Sequence, residues 1–372
     1  MPCTEAITVN AAIVGERPTG LGIYALRLIS ALDALGERLI VYTSRPDLIV
    51  AARAEVHRIP AALRPERGAL GHLLRLLWVQ SGLRLRVRRA RPDLLLNLMP
   101  EGLLLPSVPQ VTTVHDLLPL LYPSEYPRQQ YYFRHYVPAV LKHSRAVIVI
   151  SESTRRDLLR FYPGVPPEKV HVVLSGYDAR QFSPGDPAEP DTGPYALYVG
   201  NVLPHKNLPR LIEAFARSAG RVPGTLVICG SGRSRHMEEV RQRVAALGLT
   251  PRITWKPYAT ADELVRLYRG AKMLLLPSLH EGFGLTAVEA MACGTPVIAS
   301  NTSSLPEVVG DAGLLVDPND TDSIADAMSR LFTDDALAEE LRERGLRRAA
   351  LFSWEKTGRA VQAVIHQAMT RA

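Results

Sequence analysis

The chain has 372 residues, of which 47% are hydrophobic and 22% charged, which favours two domains of about 100–200 residues each and excludes long disorder, collagen and coiled coil. The formal net charge is +7, and residues 64–92 carry all of the excess, with eight arginines against one acid, Glu66. Residues 1–10 lack a signal-peptide pattern and no membrane-spanning run is present. The three scattered cysteines, Cys3, Cys229 and Cys293, suit a reducing compartment, so we expect a cytoplasmic protein.

Short apolar runs alternate along the chain with amphipathic stretches, which is typical of parallel α/β layers. The strands are predicted at residues 39–43, 94–97, 111–114, 147–150, 195–199, 225–229, 273–277 and 296–299. The helices are predicted at residues 22–35, 208–219, 237–247, 261–268, 287–293, 321–331, 335–346 and 354–369. We therefore expect an α/β protein built from two doubly wound, Rossmann-like domains.

A shift in composition marks the boundary between the domains. Residues 181–193 are rich in proline, aspartate and glycine and are predicted to form a linker. The first domain would span residues 1–180 and the second residues 194–352. The last stretch, residues 353–372, is a helix that could pack back on the first domain. Ligands of such sheets lie beyond the carboxyl ends of the strands.

Residues 273–300 hold the clearest chemical pattern, a strand, a loop with Gly282 and Gly284, a short helix and another strand. The glycines let the backbone approach a ligand closely, and amides at a helix start favour phosphate. Glu281 lies in the loop and Glu289 in the helix, so one carboxylate can face a reacting group while the other binds a pair of hydroxyls. Solvent-facing acids and simple turns explain the same spacing about as well.

Two further strand-to-helix loops carry glycine, and one also carries a cation. Gly200 to Lys206 follows the strand 195–199 without forming a Walker P-loop, and Lys206 could neutralise a diphosphate. Gly230-Ser231-Gly232 follows the strand 225–229 and is too short for a dinucleotide fingerprint.

The run His280-Glu281-Gly282-Phe283-Gly284-Leu285-Thr286, with Glu289 and the following Ala-Met-Ala-Cys-Gly-Thr-Pro, resembles the signature of glycosyltransferase family four. Residues 199–206 and 305–316 also match, so the resemblance covers roughly residues 195–330. It implies the GT-B fold, in which two Rossmann-like domains face a central cleft, and a retaining, nucleotide-sugar-dependent enzyme. The expected partners are a nucleotide-sugar donor and a glycan or lipid-linked acceptor, with no metal, no cofactor and no nucleic acid.

By this resemblance Glu289 would bind the ribose hydroxyls, Glu281 would bind the donor sugar, and Lys206 would balance the diphosphate. Asn201 stands where many members have arginine, and Arg233 is the candidate replacement. In the first domain, Gly20 and Gly22 lie in a predicted loop before a helix, and His115 follows the strand 111–114. The catalytic candidates are Glu281 and His115, and the donor-binding candidates are Glu289, Lys206, Gly200, Asn201, Gly282, Phe283, Gly284, Leu285, Thr286, Gly20, Gly22 and Arg233.

The Tyr-rich run 122–136 could line an acceptor site or pack in the core. The sequence of residues 200–207 resembles that of mannosyltransferases, so GDP-mannose is the first donor expected and a UDP-sugar is the alternative. The expected product is a surface polysaccharide. A GT-B epimerase or a non-catalytic sugar-nucleotide-binding module remains possible. The basic segment 64–92 either binds the inner face of a membrane through anionic lipid or is an ordinary helix with solvated arginines.

Overall fold

The computed structural model describes residues 5–16, 18–185 and 193–370, so Cys3, Arg17 and much of the predicted linker lie outside the described residues. The chain divides into two compact units. The first comprises Met1–Gly176 and Trp354–Ala372, and the second comprises Tyr177–Ser353.

The first unit is built on a parallel sheet of seven strands in the order β3-β2-β1-β4-β5-β6-β7. Its strands are β1 (Ala6–Asn10), β2 (Arg38–Thr43), β3 (Glu55–Arg58), β4 (Leu94–Asn97), β5 (Gln110–Val114), β6 (Ala146–Val149) and β7 (Val170–Val172). The inner strands β4, β5 and β6 are buried along their whole length, as expected where helices cover both faces of a parallel sheet.

The second unit is built on a parallel sheet of six strands in the order β10-β9-β8-β11-β12-β13. Its strands are β8 (Tyr195–Val199), β9 (Thr225–Cys229), β10 (Ile253–Lys256), β11 (Met273–Leu276), β12 (Val297–Ser300) and β13 (Gly313–Val316). Both units therefore confirm the predicted doubly wound α/β class. The sequence prediction missed β1 and the less buried strands β3, β7, β10 and β13.

The helices cover the two sheets. They are α1 (Gly20–Ala34), α2 (Gly68–Trp78), α3 (Arg84–Ala90), α4 (Leu118–Leu121), α5 (Gln129–Tyr131), α6 (Val137–Lys142), α7 (Glu152–Phe161), α8 (Leu208–Arg217), α9 (Ser234–Ala246), α10 (Ala261–Gly270), α11 (Leu285–Ala292), α12 (Leu305–Val309), α13 (Thr321–Thr333), α14 (Asp335–Ala349) and α15 (Trp354–Thr370). Two π-helical segments, Val79–Leu83 and Tyr132–Tyr136, join α2 to α3 and α5 to α6. None of the described helices is long and apolar enough to cross a membrane.

The last helix, α15, packs on α1 of the first unit. A Cβ at Gly358 would lie 2.9 Å from the Ala31 Cβ, so the two helices approach closely at this glycine. Polar contacts also hold α15: the Thr357 hydroxyl donates to the Leu174 carbonyl at 2.8 Å, and the Gln362 amide donates to Glu37 at 2.7 Å. The chain thus returns to its first unit after completing the second.

The strand order indicates where a ligand of the second unit is expected to bind. In the second unit β8 lies between β9 and β11, so the connections leaving β8 and β11 run in opposite directions from neighbouring strands. Such a switch point opens a crevice outside the carboxyl ends of the two strands. The residues that follow β8 and β11, including Lys206 and Glu281, lie at this switch point.

Candidate functional site

Lys206 and Glu281 form an ion pair at the switch point of the second unit. Lys206 ends a short 3-10 turn, Pro204–Lys206, after β8, and Glu281 follows β11. The Lys206 Nζ lies 2.6 Å from Oε1 and 2.8 Å from Oε2 of Glu281. The two side chains are only 21% and 13% exposed, so the pair is shielded from most of the solvent screening that weakens surface pairs.

The Glu281 carboxylate is held in its ionised form. Burial raises its pKa, but the Lys206 charge, the Lys206 hydrogen bonds and a hydrogen bond from Ser278 outweigh burial, so the pKa lies below its ordinary value. The Ser278 hydroxyl donates to Oε1 at 2.7 Å. This carboxylate can therefore accept hydrogen bonds from sugar hydroxyls at neutral pH.

The loop after Glu281 turns directly into α11. Gly284 has φ of 103°, in the left-handed region, and α11 begins at the next residue. A Cβ at Gly284 would also lie 2.7 Å from the Leu305 Cδ2, so both conformation and space require glycine there. The first N–H groups of a helix have no acceptor within it, and here they belong to the predicted donor-binding residues Leu285 and Thr286. Gly282 and Phe283 complete this loop.

Glu289 lies in the second turn of α11, where it accepts a hydrogen bond from the Tyr268 hydroxyl at 3.1 Å. Burial raises the pKa of Glu289 to about 8, and the Tyr268 hydrogen bond lowers it only in part. The carboxyl is therefore mostly protonated at neutral pH. It differs in this from Glu281, although both acids belong to one loop-and-helix segment.

The loops after β8 and β9 lie against each other. The Val202 amide donates to the Ser231 carbonyl at 2.9 Å, and a Cβ at Gly230 would overlap the Gly200 carbonyl oxygen. Glycine at 230 is thus required by this close approach. Asn201 is exposed in the first loop, and Arg233 precedes α9 at the end of the second, so the two residues lie on neighbouring loops.

His115 lies at the carboxyl end of β5 in the first unit. Its Nε2 lies 2.9 Å from the Leu98 carbonyl oxygen, which can only accept, so the neutral ring carries its proton on Nε2 and a lone pair on Nδ1. The ring packs edge to face on Tyr24, with centroids 4.6 Å apart. Burial lowers the pKa of His115 to about 4, and the Leu98 hydrogen bond offsets this only in part. His115 is therefore neutral at physiological pH.

The loop predicted around Gly20 and Gly22 is wrong. Both glycines lie in the first turn of α1, which begins at Gly20, because the Ile23 amide already donates to the Thr19 carbonyl at 2.9 Å. A Cβ at Gly22 would lie 2.9 Å from the Pro18 Cβ, whereas one at Gly20 would meet nothing within 4 Å. Gly22 therefore allows the chain at Pro18 to pack closely against the first turn of α1.

Several polar residues of the sites were missed from the sequence. No local pattern in the sequence predicts that Tyr268 of α10 donates to Glu289. Ser303 and Ser304 lie after β12, and their hydroxyls donate to the Glu281 carbonyl at 2.6 and 2.9 Å. The pair of adjacent serines in a strand-to-helix loop was the only available signal.

No three His, Cys, Asp or Glu side chains of the described ranges could together hold a metal ion.

The arginine-rich segment has an inner and an outer face. Arg75 is buried and its Nε donates to both carboxylate oxygens of Glu101, at 3.1 and 3.0 Å, so this arginine is structural. Four leucines instead face outwards, and they are Leu70, Leu73, Leu77 and Leu85, between 47% and 60% exposed.

Comparisons with known proteins show which family the chain belongs to. The sequence profile described as "Glycosyl transferases group 1" matches residues 179–348, and that described as "Glycosyltransferase Family 4" matches residues 18–181. O-antigen chain mannosyltransferase B of Escherichia coli is 32% identical over 256 residues, which cover 66% of this chain and 67% of that protein. The chain belongs to glycosyltransferase family 4.

The matches to two other relatives cover smaller shares of those proteins. The D-inositol 3-phosphate glycosyltransferase of Salinispora arenicola is 35% identical over 59% of this chain and 54% of that protein. The serotype-specific mannosyltransferase WbdA of Escherichia coli is 29% identical over 66% of this chain and 32% of that protein. The matches thus span about half and about a third of these two relatives.

Solved structures share the fold of the enzyme across nearly its whole length. Sucrose-phosphate synthase from Thermosynechococcus elongatus matches with a TM-score of 0.79 at 24% identity, covering 98% of both chains. HepE of Anabaena, in complex with UDP and glucose, matches with a TM-score of 0.74 at 18% identity, covering 98% of this chain and 100% of that one. WaaG, a glycosyltransferase involved in lipopolysaccharide biosynthesis, matches with a TM-score of 0.67 at 17% identity, covering 96% and 98%. The fold is GT-B, with two Rossmann-like domains.

Proposed function

We propose that this glycosyltransferase moves a hexose from a nucleotide sugar to a glycan or lipid-linked saccharide, with retention at the anomeric carbon, in surface polysaccharide synthesis. The observation that carries the proposal is the Lys206–Glu281 pair beside the first turn of α11, at the switch point of the second sheet. A cation, helix amides and an ionised carboxylate there suit a diphosphate joined to a sugar.

In this proposal the diphosphate lies at the first turn of α11, and Lys206 exchanges Glu281 for phosphate oxygens. Glu289 binds the ribose hydroxyls and Glu281 the hydroxyls of the donor sugar. The bond from the anomeric carbon to the phosphate oxygen breaks while a bond to the acceptor oxygen forms, and the acceptor proton passes to the departing phosphate. Charge grows on the phosphate in the transition state, so preorganised amides and Lys206 stabilise it more than the ground state.

His115 has the chemistry of a hydrogen-bond acceptor in this reaction. Because Nε2–H is engaged with Leu98, Nδ1 can accept a hydrogen bond from a sugar hydroxyl but cannot donate one. We assign His115 this role. Arg233, on the loop beside Asn201, is the cation proposed to supplement Lys206 at the phosphates.

Mannose from GDP-mannose is the donor we favour. Similarity to mannosyltransferases at 32% and 29% identity supports this donor, as does the sequence of residues 200–207. A UDP-sugar is the second candidate, because HepE, a neighbour in fold, is described with UDP and glucose. An epimerase would instead alter the donor without an acceptor, and a binding module would not consume it.

A peripheral contact with the inner face of a membrane is part of the proposal. Residues 71, 75, 79, 83 and 87 are buried and residues 73, 77, 81, 85 and 89 are exposed, in a strict repeat of four. A straight α-helix has 3.6 residues per turn and drifts out of such a repeat. The wider π-helical turn at Val79–Leu83 compensates for the drift. Leu73, Leu77 and Leu85 therefore share an outer face that also carries Arg89, as expected of a surface that meets anionic lipid.

The nucleotide is tested by thermal shift of the purified protein with GDP, UDP, ADP and their sugars. A ligand that binds only the native state raises the thermal midpoint. At a ligand concentration of 100 times the dissociation constant, it adds about 2.7 kcal/mol to the free energy of unfolding. We expect a selective response to GDP. A selective response to UDP would retain the enzyme class and replace the donor. A midpoint that no nucleotide or nucleotide sugar shifts would contradict a preformed donor site.

The role of Glu281 is tested by the variant Glu281→Ala. Its release of nucleoside diphosphate should fall by orders of magnitude, and normal release would contradict the assignment of Glu281.

A further inference from the structure

Backbone strain is concentrated beside the Lys206–Glu281 pair. Among the described residues, the non-glycine residues with positive φ are Arg91, Asn207 and Ser303. Asn207 follows Lys206 directly, and Ser303 hydrogen-bonds to Glu281. A left-handed backbone is strained for a residue with a Cβ, and such strain persists at functional sites where the surroundings hold it.

The Ser303 side chain forms hydrogen bonds with the main chain of Glu281. With φ of 58°, it has the backbone that glycine adopts most readily. Its hydroxyl accepts from the Glu281 amide at 3.1 Å and lies 2.6 Å from the Glu281 carbonyl, to which it donates. One hydroxyl thus bonds to both main-chain groups of a single residue, which glycine could not do.

A second serine, Ser304, also forms hydrogen bonds with the loop that contains Glu281. The Ser304 hydroxyl lies 2.9 Å from the Glu281 carbonyl and 2.8 Å from the Phe283 carbonyl. Ser304 is fully buried. The backbone of Glu281 is thus fixed from the loop after β12, while its carboxylate is fixed from the other side by Lys206 and Ser278.

We propose that Ser303 is a positioning residue, whose hydroxyl fixes the backbone of Glu281 so that its carboxylate meets Lys206 and the donor sugar. The part that concerns the donor rests on the function proposed above, whereas the part that concerns Lys206 does not. If position 303 needed only a left-handed turn, glycine would serve at least as well as serine. The two explanations therefore differ in what they expect of Ser303→Gly.

The direct test measures the Lys206–Glu281 pair without any ligand. The full chain is treated briefly with acetic anhydride, and acetylation of Lys206 is followed by mass spectrometry. We expect Ser303→Gly to raise the acetylation rate severalfold, towards that of Glu281→Gln, in which the ion pair is lost. Ser329→Ala, which removes a buried hydroxyl on α13 of the same unit, should leave the rate unchanged.

Stability separates positioning from misfolding. Because glycine relieves the strain at φ of 58°, the thermal midpoint of Ser303→Gly should stay within a few degrees of the wild type. A wild-type acetylation rate in this variant would overturn the proposal. If its midpoint collapses, Ser303→Ala and Ser304→Ala supply the same comparison, and wild-type rates in both would overturn the proposal.

Turnover distinguishes this inference from the proposed function. With GDP-mannose and UDP-glucose assayed in parallel, Ser303→Gly should lower kcat by about tenfold to a hundredfold with little change in KM, as expected when a catalytic group is misplaced. If Glu281→Gln abolishes turnover and Ser303→Gly does not lower it, positioning fails and the proposed function stands. If Glu281→Gln turns over normally, the proposed role of Glu281 fails, and the acetylation result still decides the positioning.

Discussion

Lys206 and Glu281 neutralise each other, with the lysine Nζ 2.6 Å from one carboxylate oxygen and 2.8 Å from the other. The lysine that we propose as the diphosphate ligand therefore already has a partner. Binding a diphosphate at Lys206 requires that this pair exchange partners or share the lysine. In the function proposed above, the ion pair would keep both side chains in place before the donor arrives, at some cost to affinity for the nucleotide.

Glu281→Gln should bind GDP more tightly than the wild type while losing turnover. The amide releases Lys206 from its charged partner and removes a negative charge near the phosphates, so we expect affinity to rise severalfold. Lys206→Met should weaken GDP binding. Isothermal titration measures both variants, with exposed Glu340→Gln on α14 as the control. Weaker binding of GDP by Glu281→Gln would show that the pair does not compete with phosphate.

Glu289→Gln should reduce the fall in stability as pH rises from about 4.5 to 8. The pKa of Glu289 is raised from 4.5 to about 8 by burial, so in that window the native state holds a proton that the unfolded state has released. Stability contributed by this group therefore falls as pH rises from about 4.5 to 8. The glutamine variant lacks this loss, so its thermal midpoint should exceed that of the wild type by several degrees at pH 8–9, and by less at pH 5. Parallel curves for the two proteins would contradict the raised pKa.

His115→Gln should make the protein less sensitive to acid. The pKa of His115 is lowered from 6.5 to about 4 by burial, so between these values the unfolded state takes up a proton that the native state excludes. Stability therefore falls as pH drops from 6.5 to 4. Urea unfolding at pH 7 and pH 4.5 should show a smaller loss for the variant. In the wild type, His115 should contribute no titration to the pH profile of turnover between pH 5 and 8.

Leu73→Asn with Leu77→Asn should abolish binding to vesicles of phosphatidylcholine and phosphatidylglycerol. These leucines are 53% and 58% exposed and would provide the apolar contact with the bilayer. Leu351→Asn on the second unit is the matched control, because Leu351 is also 53% exposed. Flotation at moderate salt measures binding. Wild-type protein that fails to float would contradict the membrane contact, and arginine changes at 88 and 89 should weaken binding most at low salt.

The local pattern of the sequence was enough to predict the class of fold, and it singled out the segment that carries the second unit's candidate site. Strands such as β11 and β12 are buried on both faces and read as continuous apolar runs, which the alternation with helices places in parallel sheets. β13 is only partly buried and β10 includes an exposed lysine, so their patterns are weaker. Glu281, Gly284 and Glu289 were found because their spacing within one loop and helix is local, and the family resemblance depends on the same residues.

Only the tertiary structure decided what those residues do to one another. The Lys206–Glu281 pair joins positions 75 residues apart, and the Glu289–Tyr268 bond joins positions 21 apart. The strand order, which no short pattern specifies, brings the carboxyl ends of β8 and β11 together. Burial raises the pKa of both acids, but the shifts have opposite signs because only Glu281 has a cation, Lys206, beside it. The sequence determines which chemical groups are available, whereas the packing determines their charge, because desolvation and partner charges depend on neighbours that are distant along the chain.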